Sequence, residues 1–86
     1  MKDAGFSLKI LTPVGTAFEG TVEAVFLPGA KGRFEILPGH APIITALAAG
    51  RVVWRIEGHE ESLEVLTGAA MLSDNVLTIC VQAAKE

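Results

Sequence analysis

Tyrosine is absent from these 86 residues, and other aromatics are few: one tryptophan and four phenylalanines. Sugar-binding modules usually present exposed aromatic platforms, so a carbohydrate-binding reading starts poorly supplied. Basic charge is short as well. Seven Lys and Arg stand against ten Asp and Glu, a net charge of −3, which excludes the basic stripe of a nucleic-acid binder. A single cysteine, Cys80, rules out an internal disulfide framework and favours a reducing compartment. No apolar run approaches the ~18 residues of a membrane-spanning helix, and the N-terminus lacks a signal-peptide core. These absences describe a soluble, intracellular chain.

What is present is apolar. Half of the residues are hydrophobic and only 20% are charged. A chain of this length makes one domain, residues 1–86, and removes only about 60% of its unfolded surface from water. That is more apolar surface than a small monomer readily hides, and it predicts a partner.

Short segments alternate with period two, the mark of half-buried strands. In "FSLKIL", Phe6, Leu8 and Ile10 face one way; in "TVEAVF", Val22, Ala24 and Phe26 do. Val52, Trp54 and Ile56, then Leu63 and Val65, then Leu77, Ile79 and Val81 continue the habit. The prolines and nearly all the glycines fall between these runs, as turn residues should. "APIITALAAG" admits a short helix, but its β-branched residues favour a strand over 43–46. The pattern predicts an all-β sandwich or barrel. Leu11, Val25, Leu27, Val53, Leu66, Val76 and Cys80 fall on the outward phase, where several on one sheet would form a docking face.

Catalytic readings find little. Cys80 with His40 or His59 is the only Cys–His pairing available, yet Cys80 sits mid-strand, with no helix N-terminus to activate it. The two histidines lack a second ligand at metal spacing, and "GHEES" reads as a charged hairpin turn. "PGAKG" is followed by a strand-like "GRFEI", not by the Ser or Thr and helix of a phosphate loop. Two Pro-Gly pairs, Pro28-Gly29 and Pro38-Gly39, read as turns that shape a rigid exposed segment.

The run "LPG..G.FEILPGHAPIITAL..G.V", preceded by "ILTPVGTAFEGTVEAV", resembles the epsilon subunit of rotary ATP synthases from about Phe6 to Gln82. The resemblance implies a flattened ten-stranded β-sandwich at the foot of the central stalk. It implies a non-catalytic rotor subunit, held against the gamma subunit and resting on the loops of the c-ring, that couples ring rotation to ATP synthesis. No cofactor, metal or small-molecule substrate is expected. The location implied is the cytoplasmic side of a bacterial inner membrane, reached through the complex.

Carried over by position, Thr12, His40, Pro42 and Thr45 would face gamma, and Lys31, Arg33 and Glu35 would face the c-ring. Relatives often carry Glu or Gln at Arg33 and glycine at Glu35, so the ring contact would pair charges differently here. Where many relatives have "GGF", this chain has Gly68-Ala69-Ala70. Most family members continue into two helices that regulate hydrolysis; this chain stops at "AAKE". It is either a short form, which Met1 favours, or cut after the sandwich. Without that hairpin it is expected neither to bind ATP nor to brake hydrolysis. The competing reading is an unrelated small β-sandwich binding module.

Overall fold

The computed structural model describes residues 5–84; Met1, Lys85 and Glu86, on which the reading of the chain ends partly rests, lie outside them. Alternation becomes strand wherever one side chain in two is apolar. In β1 (Phe6–Thr12), Phe6, Leu8 and Ile10 point inward and are buried, while Ser7 is exposed. The remaining strands are β2 (Gly15–Val22), β3 (Ala24–Gly29), β4 (Gly32–Ile36), β5 (Ile43–Leu47), β6 (Gly50–Ile56), β7 (His59–Ser73) and β8 (Val76–Ala83). Residues 43–46 therefore fall in a strand, as the β-branched run predicts. Among the described residues there is no helix, and so none long and apolar enough to cross a membrane.

The described residues form eight strands in one mixed sheet, not ten. The hydrogen-bonded order is β2-β1-β8-β7-β5-β3-β4, with β6 joining β3 and β7. β1 and β8 run parallel; the other pairs are antiparallel. The lower count has a physical reason in β7, whose 15 residues serve twice. Its first half pairs with β6 from His59 to Val65, and its second half pairs with β5 and β8 up to Ser73. Between the halves Leu66 has no partner on β8, because the register shifts between Val65 and Thr67. Such a bulge bends a strand, and the bend folds the sheet over on itself.

The folded-over layers meet at a core of Leu8, Ile10, Val22, Val25, Leu27, Ile36, Val52, Trp54, Leu77 and Ile79, with neighbours from each strand. Phe18 of β2 and Trp54 of β6 share no backbone ladder, yet their rings pack across the core, centroids 5.1 Å apart and planes tilted by 43°. The core position expected for Trp54 is thus observed.

Two expectations fail in β3. Val25 and Leu27, expected to face outward, are fully buried, and Phe26, expected inward, is half-buried beneath the Arg55 guanidinium. After the bend at Glu23 that separates β2 from β3, Ala24 keeps the inward phase of Val22 and the phase then reverses, so Ala24 and Val25 are buried in succession. Nor do Pro28 and Gly29 form a turn: both are buried strand residues, and the hairpin turns at Ala30-Lys31. Pro28 has no N–H to donate, but its carbonyl accepts from the Ala48 N–H, at 2.8 Å. The Pro38-Gly39 pair does turn. Gly39 has φ +82° and the His40 N–H reaches the Leu37 carbonyl at 3.1 Å, the geometry of a type II turn. The turn expected around His59 falls one residue earlier, at Glu57-Gly58, both with positive φ.

Candidate partner-binding faces

Cross-strand registers decide which side chains share a surface, and the two outer faces differ in kind. On the layer of β5, the second half of β7, β8, β1 and β2, one row runs Ile44, Met71, Thr78, Lys9, Glu19. The next runs Ala46, Ala69, Cys80, Leu11. Val76 lies beside Ser73 and Ser7. Ile44 is 79% exposed, Met71 49% and Val76 45%. The charges in these rows, Lys9 and Glu19, oppose one another at the far edge. Two shallow depressions mark this face. One is lined by Leu11, Thr12, Pro13, Thr67 and Cys80, the other by Pro42, Ile44, Met71 and Ser73.

The opposite face is charged and already paired. Arg51 faces Glu64 across the β6–β7 ladder, with 3.7 Å between nitrogen and oxygen, and Arg55 faces Glu60 at 3.9 Å. Exposed pairs of this kind add little stability, but they keep this side wetted. His59 and Glu61, 3.6 Å apart, lie on the other phase of β7, opposite Ile56 and Trp54, and are not part of this face. Of the seven apolar residues expected to point outward, Leu11, Val76 and Cys80 share the apolar face. Val53 lies on the charged one, and Leu66 sits at the β7 bulge. Ile44 and Met71, the most telling residues of the apolar face, escaped notice. Ile44 sat in a segment of ambiguous type, and Met71 belongs to no run whose phase is legible without its partners.

Lys31, Arg33 and Glu35 are brought together on one hairpin. Lys31 occupies the β3–β4 turn, and Arg33 and Glu35 point outward from β4, an edge strand. Arg33 is anchored, its Nη1 donating to the Arg51 carbonyl at 2.8 Å. The other four residues are less alike. Thr12 and Pro42 each line one depression of the apolar face. The Thr12 hydroxyl also organises the β1–β2 turn, donating to the Gly15 carbonyl at 3.0 Å and accepting from the Val14 N–H at 3.3 Å. His40 is half-buried beside Pro42, with Nδ1 2.7 Å from the Ala41 carbonyl. Thr45 lies on the inward phase of β5, opposite Ala70. Among the described residues no three His, Cys, Asp or Glu side chains gather at metal-binding distance.

Comparison with known proteins gives these faces a context. The family described as "ATP synthase, Delta/Epsilon chain, beta-sandwich domain" matches residues 5–86. The chain is 35% identical over 81 residues to the ATP synthase epsilon chain of Rhodopseudomonas palustris strain BisB18, covering 94% of this chain and 60% of that one. It is 34% identical over 80 residues to that of Desulfitobacterium hafniense strain DCB-2, covering 93% and 61%. Thus it spans about three-fifths of the length of the relatives it matches. Its fold resembles a chain in the Euglena gracilis mitochondrial ATP synthase, at a TM-score of 0.88 and 22% identity, covering 98% of this chain and 55% of that one. A chain in the Tetrahymena thermophila central stalk and c-ring structure aligns at 0.76 and 13%, covering 95% and 66%. With nearly every residue inside the family match and two epsilon chains more than 30% identical, the chain belongs to the ATP synthase delta/epsilon beta-sandwich domain family.

Proposed function

We propose that this domain is a non-catalytic rotor component of an ion-translocating ATP synthase, docked through its apolar face on the gamma subunit. The Lys31, Arg33 and Glu35 hairpin then rests on the polar loops of the c-ring, so that ring rotation is passed to gamma and on to ATP synthesis. The carrying observation is the contrast between faces: Ile44, Met71, Val76, Cys80 and Leu11 on one side, self-paired charges on the other. A neutral apolar surface remains in water only at a free-energy cost, which a protein partner removes. The broad side of the molecule, 38 by 23 Å, matches the roughly 800 Å² per partner of a standard interface. The assembly is that of its relatives: epsilon chains of ATP synthases, and a chain of a central stalk with its c-ring. Function as part of that complex places the domain at the membrane surface, on the cytoplasmic side of a bacterial inner membrane.

Calorimetry with purified gamma tests this reading. Binding is expected in the micromolar range or tighter, and Ile44→Glu should weaken it by about 2 kcal/mol, roughly 30-fold. Because Ile44 is 79% exposed, the melting temperature should hardly move. No heat and no shift on gel filtration at micromolar concentration would overturn the assignment.

A further inference from the structure

Asn75 lies outside both the apolar face and the charged hairpin, yet it ties more segments together than any turn requires. Asp74 and Asn75 form the two-residue link between Ser73 and Val76, with φ of 51° and 63°. This is a type I′ turn, and its backbone asks only for residues that accept positive φ, glycine above all. The side chain of Asn75 does something further. Its Oδ1 accepts from the Gly39 N–H at 3.0 Å, and its Nδ2 donates to the Gly5 carbonyl at 3.2 Å. Its own carbonyl accepts from the Ser7 N–H at 3.1 Å. One residue therefore joins the β7–β8 turn, the entry to β1 and the Pro38-Gly39 turn.

The bond to Gly39 matters most. In a type II turn the central peptide carries the Gly39 N–H outward, free of the turn's own hydrogen bond. Nothing local fixes how the plane of that turn tilts against the sheet, and Asn75 fixes it. His40 follows at once, and Pro42 enters the depression beside Ile44 and Met71 two residues later. We infer that Asn75 is a positioning residue, holding the Leu37–Pro42 segment at the rim of the apolar face in the pose that a partner meets. The inference rests on the docking reading above.

The test compares Asn75→Gly with Asn75→Asp in the full chain, by amide hydrogen exchange at Gly39 and by gamma affinity. Glycine keeps the turn and loses both side-chain bonds; aspartate keeps the acceptor for Gly39. Asn75→Gly should melt within a few degrees of the parent, exchange the Gly39 amide at least tenfold faster, and bind gamma about tenfold more weakly, the scale of one ordering hydrogen bond. Asn75→Asp should restore most of the protection and most of the affinity. A residue serving the turn alone would leave affinity untouched in both variants, and that result overturns the inference. So does unchanged Gly39 protection in Asn75→Gly, or an Asn75→Asp chain as weak as the glycine variant. If Asn75→Gly fails to fold, Asn75→Asp decides alone: parental protection and affinity support the clamp, and loss of both overturns it. If the parent chain itself does not bind gamma, the docking reading fails first and takes the positioning role with it, whatever Gly39 exchange shows.

Discussion

Trp54→Ala is expected to cost about 3–5 kcal/mol, the range for removing a large buried aromatic, and to leave the domain close to unfolding. The side chain is 4% exposed, packs against the tilted Phe18 ring at 5.1 Å and sits where β6 meets β2 without a shared ladder. Its loss removes contacts that hold one layer against the other. Total stability for a small domain is only ~5–15 kcal/mol, and each kcal/mol moves the melting temperature of a chain this size by roughly 4–8 °C. Thermal unfolding followed by circular dichroism should therefore show a fall of tens of degrees. Trp54→Phe should be far milder. Among the described residues the buried indole Nε1 has no hydrogen-bond partner, a condition costing about 1–3 kcal/mol. Phenylalanine discards that donor while keeping a ring against Phe18. An alanine variant that melts like the parent would show that Trp54 does not hold the layers together.

Gly68→Ala should destabilise, against the usual direction for a strand. Glycine within a strand normally loses about 0.5–1 kcal/mol to alanine, so a propensity argument predicts a gain. Space reverses the sign. A Cβ on Gly68 would lie 2.5 Å from the Cys80 carbonyl oxygen and 2.6 Å from Val81 Cγ1. The first of these is backbone of the neighbouring strand and cannot swing aside. Relief requires β7 and β8 to part just beyond the Leu66 bulge, where Gly68 also pairs with Leu47 of β5. An overpacking cost of about 1–3 kcal/mol is expected, and Gly68→Val should exceed it. Urea titration would measure both; a midpoint raised by alanine would mean that the strands separate there at little cost.

How much of this was legible in the sequence depended on whether the controlling interaction was local. β1, β6 and β8 alternate without interruption, and their inward residues were read correctly because period two needs no partner to be seen. β3 was misread because the phase reverses between Ala24 and Val25, just after the bend at Glu23, and no residue there is a glycine or proline that would announce it. Pro28-Gly29 looked like a turn for the opposite reason: its punctuation is real, but pairing to Arg33 and Gly32 absorbs it into a strand. The strand count failed at β7, where one chain segment pairs in both layers. The family motif located the Lys31–Glu35 hairpin and the Leu37–Pro42 turn. The apolar face was legible in part: the outward phase marks Leu11, Val76 and Cys80, but which of the outward residues share one surface, and that Ile44 and Met71 join them, is decided by three separate strand registers. Asn75 was invisible, because its partners Gly39 and Gly5 lie 36 and 70 positions away.

The length of β7 has a mechanical meaning. Fifteen residues at ~3.3 Å each would reach about 50 Å, more than the 38 Å longest dimension of the molecule, so the strand must bend to fit. It is consequently a covalent strut passing from one layer into the other. Two sheets joined only by side-chain packing can slide over each other under a sideways force; here such shear must stretch or straighten a continuous backbone. A push on the apolar face is then delivered to the charged side along peptide bonds, with little lost to slippage in the core between them.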